Sequence, residues 1–88
     1  MDEMLAIIKL FAGPFVPVGY MECNGQTLSI MSNQALFSLL GVNFGGDGVH
    51  NFQLPDLRPM DGQGNRRPWN ANEARSIICV QGIYPSHD

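Results

Sequence analysis

At 88 residues the chain fits one domain, and a domain this small buries only about 60–65% of the surface its unfolded form exposes, so its stability is marginal. Hydrophobic residues make up 44% and charged residues 15%, fewer charges than the roughly 25% of ordinary soluble domains, which marks part of the surface for burial in an assembly. The net charge of −3 excludes a general nucleic-acid binder, which needs a net basic face, and no apolar run reaches the roughly 18 residues that membrane insertion requires.

The N-terminal Met1-Asp2-Glu3 carries acid where a signal peptide needs base, which predicts synthesis in the cytoplasm without export. Residues 4–12, from Met4 to Ala12, predict a strand: the segment is short, holds adjacent β-branched residues and runs into Gly13-Pro14. Lys9 marks its wetter face. Pro14 and Pro17 then keep the chain extended, because proline fixes its own φ and restricts the residue before it. Gly19 to Cys23 predicts a second strand, with Asn24-Gly25 as a tight hairpin turn and Thr27 to Ser29 as the returning strand.

The clearest helix comes next, with Ser32 as N-cap, Asn33 to Leu40 as body and Gly41 as the left-handed stop. Leu36, Leu39 and Leu40 share the face that packs on the sheet, while Phe37 either joins the edge of the core or meets a partner. Gly45-Gly46-Asp47-Gly48 supports neither helix nor regular strand. Phe52-Gln53-Leu54 is extended, and Pro55-Asp56-Leu57-Arg58-Pro59 closes it with a turn. Residues 59–74 form a polar surface loop, and Arg75 to Gln81 is the best strand of all, expected in the centre of the sheet beside the N-terminal strand. The fold class that follows is α+β, a small antiparallel sheet with one short helix packed on it, rich in turns and filling residues 1–88 as a single domain.

Few of these residues suggest chemistry. The glycine-rich stretch from Gly41 to Gly48 lacks the Lys-Ser/Thr of a phosphate loop and the spacing of a dinucleotide fingerprint. Asp47, His50 and Asp56 match neither a calcium loop nor the helical histidine spacing of zinc enzymes, and Asp47 and Asp56 read better as turn-forming carboxylates. His50 and His87 are the only imidazoles, and no serine lies in a nucleophile elbow, so neither an enzyme nor a cofactor is expected. Cys23 and Cys79 are 56 positions apart with no metal-type spacing; they read as buried free thiols, or as a disulfide if their strands are neighbours. Arg58, Arg66, Arg67 and Arg75 gather in the last third, as a solvated loop or as a contact to an anion or another subunit. Trp69, in a polar loop beside Arg66 and Arg67, either anchors an interface or stacks on a sugar, or else folds back as a lid over a small core.

Taken in order, Ile8-Lys9-Leu10-Phe11-Ala12-Gly13, Pro17-Val18-Gly19-Tyr20 and Cys23-Asn24-Gly25-Gln26, followed by Asn33 to Gly41, Phe44 to Gly48 and Phe52 to Arg58, closely resemble the bacteriophage tail collar domain family, which includes bacterial microcystin-dependent proteins. Residues 6–58 carry this resemblance, and Ile78 to Ser86 look like the closing segment of longer members. Between them the chain departs from the pattern. The family continues Gly-Arg after the Leu-Arg pair into a long polar region, whereas Pro59-Met60 stand here and the chain returns after a shortened loop.

The resemblance implies a component of a virion tail, made in the bacterial host cytoplasm. It would act as a collar, adaptor or cap that assembles with itself, a homo-oligomer with a trimer favoured, and with other tail or fibre proteins. Trp69, Arg66, Arg67, Arg58 and Phe37 are the candidate interface residues. Asn24, Gly25, Gly45, Gly46, Asp47, Gly48, Pro55 and Asp56 are the structural turns. The alternative is a compact adhesin for a host-surface receptor or glycan, which would give the chain a part in host attachment.

Overall fold

The computed structural model describes residues 3–86; His87, one of the two imidazoles noted above, lies outside them. In chain order the elements are β1 (Ile8–Phe11), β2 (Tyr20–Glu22), β3 (Thr27–Ser29), α1 (Gln34–Leu40), β4 (Asn51–Gln53) and β5 (Arg75–Cys79). They form small antiparallel sheets with one short helix, the α+β class the sequence predicts. A three-stranded sheet has the order β1-β5-β2, and β3 and β4 form a two-stranded one. The apolar β5 is central. Both its neighbours run antiparallel to it, so residues 12–19 must carry the chain across β5 to reach β2.

The first strand is shorter than the apolar run suggests. Met4 to Ile7 stay against the closing segment, with the Leu5 N–H donating to Ile83 O at 2.8 Å and the Ala6 N–H to Cys79 O at 2.9 Å. Cys79 in turn donates its N–H to Ile7 O at 2.9 Å, so two residues oppose one and the strand bulges. Ala6 takes a φ of +70° there, and the bulge turns Leu5 into the core.

The expected hairpin at Asn24-Gly25 does not form. β2 pairs with β5 and β3 with β4, because the strongly apolar β5 takes the edge that a hairpin would give to β3. Cys23 is the switch point: its N–H donates to Ser76 O at 3.0 Å in the first sheet, while its carbonyl accepts from the Leu57 N–H at 2.9 Å. Gly25, with φ +74°, then donates to Pro55 O, and Asn24 forms a bridge with Asp56. The two turns that the sequence separates by thirty positions therefore lie side by side and join the sheets.

The helix begins one residue later than expected. Asn33 is the N-cap, not Ser32, and it makes no side-chain cap bond. Its amide instead points back to donate to Ser29 O at 2.9 Å, fixing the turn between β3 and the helix. Gly41 ends the helix as expected in place but not in geometry: its φ of +58° comes with a ψ of −145°, outside the left-handed helical region, and its N–H makes the last i to i−4 bond to Phe37 O.

Leu36 and Leu40, four residues apart on one helical face, enter a core shared with Leu5, Cys23, Phe52, Leu54 and Ile78. Ile77 and Cys79 alternate to the other face of β5 and are buried as well, so both faces of this strand are covered. Cys23 and Cys79 are free. Cys79 lies opposite Tyr20, three residues along β2 from Cys23, and odd spacing puts the two on opposite faces. Burial pushes the Cys23 thiol up to about 11 and raises that of Cys79, which makes both poor nucleophiles.

Candidate interaction surface

Two segments hold the residues singled out from the sequence. The first is the loop from Gly45 to Gly48. Gly46 has a φ of +101°, and its α-carbon lies so close to the Phe52 backbone that a methyl group there would overlap Phe52 Cα and sit 2.8 Å from Asn51 O. Asp47 organises the turn: its Oδ1 accepts backbone N–H groups from Val49 and His50 at 2.8 Å and from Asn51 at 3.0 Å. These three bonds hold the carboxyl at about 2, well below its ordinary 3.8. The loop also fills the free edge of β4, since Gly48 donates to Asn51 O and Gln53 donates to Gly45 O.

A consequence for acid stability follows. A carboxylate whose folded pKa is depressed stabilises the fold fully above its unfolded value and loses that contribution as pH falls toward the folded one. Asp47→Asn is expected to lower the melting temperature at pH 7. The gap between variant and wild type should shrink as pH falls from about 4 to about 2, a trend that thermal melts across this range would record.

The second segment runs from Pro55 to Arg75, and its arginines are occupied by neighbours in the same chain. Arg58 forks onto Asp56 with Nε at 2.9 Å from Oδ1 and an Nη at 2.7 Å from Oδ2. Arg67 grips Glu73 through two bonds of 3.0 and 2.8 Å, and Glu73 also accepts the Asn70 N–H, which holds its carboxyl at about 2. Arg75 pairs with Glu22 of β2 at 2.5 Å, and Arg66 donates to Arg58 O at 2.6 Å. Asp61 caps a tight turn by accepting from Gln63 and Asn65, below a bridge between Met60 and Arg66.

Residues 60–66 are thus exposed yet tied together, and planar forked pairs of this kind give geometric definition as well as energy. Trp69 is half-buried and packs against the core, as does Phe37, whose ring lies 5.4 Å from that of Phe52. Arg66 stays exposed, whereas Arg58 and Arg67 are partly covered. Two residues that complete these clamps, Glu22 and Glu73, were not singled out from the sequence. Glu22 lies 53 positions from its partner, and separation on that scale leaves no local signal.

The geometry offers little chemistry. Asp56 turns to Arg58, and His50 Nδ1 is 3.7 Å from Asp47 Oδ2, so the Asp47, His50 and Asp56 trio does not converge. Among the described residues no group of three or more His, Cys, Asp or Glu side chains is placed to hold a metal ion. An open groove of about 360 Å³ lies between Ser29, Ile30, Met31, Gln34, Val49 and His50, and His50 is its only titratable group. No helix among the described residues is long and apolar enough to cross a membrane.

The surface carries exposed apolar side chains: Leu10, Phe15, Val18, Met31 and Val49 are each more than two-thirds exposed. No curated protein matches the chain. The family model described as the phage tail collar domain matches residues 6–61, the stretch that contains β1 to β4, the helix, the Asp47 turn and the paired turns at Asn24 and Asp56. With that match over more than half its length, the chain belongs to the phage tail collar domain family, a structural family of phage tails and not a family of enzymes.

Proposed function

We propose that the chain is a structural piece of a phage or phage-like tail, a collar, adaptor or cap made in the host cytoplasm, which works by joining copies of itself to tail or fibre proteins. The observation that carries this reading is the collar match over residues 6–61; the exposed apolar residues, in a chain with only 15% charged residues, support it. A small domain of marginal stability gains from such contacts, since a partner that binds only the folded chain shifts the equilibrium toward it.

The shortened loop, residues 59–74, is the proposed contact to other tail proteins. Its ion pairs hold it in one shape, so little ordering entropy is lost on docking. A glycan-binding role has less support, because Trp69 packs on the core and leaves less of its ring free for a sugar.

Incorporation of the purified chain into tail particles tests this reading. Arg66→Glu, at an exposed position, together with Trp69→Ala is expected to reduce incorporation at least tenfold. Circular dichroism would establish that each variant is folded. Normal incorporation of folded Arg66→Glu would remove this segment from the interface.

A further inference from the structure

Asn24-Gly25 is the only Asn-Gly pair in the chain, and such a pair has a chemistry of its own. Glycine has no side chain to hinder the approach of its nitrogen, so in a free chain that nitrogen attacks the side-chain carbonyl carbon of the asparagine. A bond forms between Gly25 N and Asn24 Cγ, the bond from Cγ to Nδ2 breaks, and ammonia leaves with the proton that Gly25 N gives up. Water then opens the cyclic imide at one carbonyl or the other, leaving aspartate or isoaspartate at position 24. Water is the only co-reactant.

The fold holds both ends of this reaction. The Gly25 N–H donates to Pro55 O at 3.1 Å, which commits the proton of the attacking nitrogen to the neighbouring turn. The leaving amide donates from Asn24 Nδ2 to Glu22 Oε1 at 3.1 Å. The backbone around it is pinned as well, with the Asn24 N–H donating to Gln26 Oε1 at 3.0 Å and the Cys23 carbonyl accepting from the Leu57 N–H at 2.9 Å. These bonds belong to the junction of the two sheets, so the ring closes only when that junction opens.

We propose that Asn24 is a deamidation site gated by folding, protected while the junction is closed and converted to aspartate or isoaspartate in copies whose junction opens. The two Asp-Gly pairs, at Asp47 and Asp61, close the same ring only through a neutral carboxyl. In the fold, backbone N–H groups hold both of those carboxyls below their ordinary value, and so ionised.

Neither product at position 24 fits the closed junction. Aspartate replaces the donor facing Glu22 with a second carboxylate, and like charges at that distance repel. Isoaspartate routes the main chain through Cβ and Cγ. The extra backbone carbon falls between the Cys23 and Gly25 bonds, whose spacing the turn from Pro55 to Leu57 fixes. An opened copy that reacts is thereby hindered from closing again, so the reaction withdraws frequently opening copies from the folded pool. This holds whether or not the chain enters a tail.

Peptide mapping by mass spectrometry tests the gate. Purified wild-type chain is incubated in mildly alkaline buffer over a series of guanidinium chloride concentrations, and conversion is followed in the fragment that contains Asn24. Conversion is expected to be at least ten times slower in native buffer than under full denaturation. Between these limits it should rise in step with the unfolded fraction read by circular dichroism, because a reaction of the open form tracks its population. Asn24→Asp, which carries one product from the start, should melt below wild type. Equal conversion in native and denaturing buffer, or a rate that does not follow the unfolded fraction, would overturn the gate. An Asn24→Asp variant that melts with the wild type would overturn the claim that this product opposes closure.

Discussion

Phe52→Ala is expected to destabilise the fold by about 3–5 kcal/mol, the usual cost of removing a buried ring from a core that relaxes only in part. Phe52 is fully buried. It lies in β4, pairs with Leu28 of β3, and joins the helix through its tilted contact with Phe37. The ring is therefore shared by the two-stranded sheet and the helix, and its loss leaves a hole that neither can fill alone. Domains of this size have total stabilities near the low end of about 5–15 kcal/mol, so the variant should be largely unfolded at physiological temperature. Urea unfolding followed by circular dichroism would measure this. A cost below about 1 kcal/mol would mean that the helix does not depend on Phe52 for its place.

Gly46→Ala is the second large effect. At φ +101° a residue with a side chain is strained, which by itself costs about 1–3 kcal/mol. The added methyl group also meets backbone, the Phe52 Cα and the Asn51 carbonyl, and backbone cannot swing aside as a side chain can. Relief requires the loop to move off β4, breaking the bonds from Gly48 to Asn51 O and from Gln53 to Gly45 O.

Gly64 supplies the comparison. It has a φ of +86° but nothing within 4 Å of the added methyl group, so Gly64→Ala carries the strain without the clash. Thermal melts should place Gly46→Ala well below Gly64→Ala, and Gly64→Ala only modestly below wild type. Equal melting temperatures for the two variants would show that φ strain alone governs the loop. The comparison separates two reasons for glycine that a sequence does not distinguish.

Much of the local structure was legible. The helix, its glycine stop, the apolar closing strand and the turn at Asp47 all depend on neighbours within a few positions, where side-chain type and spacing act directly on the backbone. The errors share a different cause. Asn24-Gly25 is a good hairpin signal, yet it became a junction between sheets because β5, some fifty residues away, competes for the edge of β2. The run from Met4 to Ala12 broke at Ala6 because Ala6 and Ile7 must both fit opposite Cys79.

The arginines and Trp69 of the last third were legible by type but not by conformation. Clustered arginines are equally compatible with a loose basic loop and with a set of clamps. Which of these forms depends on whether Asp56, Glu73 and Glu22 reach them, and the last comes from another strand. Trp69 is a parallel case: its composition suits an exposed anchor, and its packing against the core decides how much of the ring remains free.

The sequence by itself determined the family and the fold class, because each rests on residue identities in a fixed order over short spans. Only the tertiary structure decided the strand order, the pairing of distant turns and the closure of Arg58, Arg67 and Arg75 on acids. Those depend on competition among segments far apart in the chain, and such competition is settled by total burial and hydrogen bonding, not by any one segment's preference.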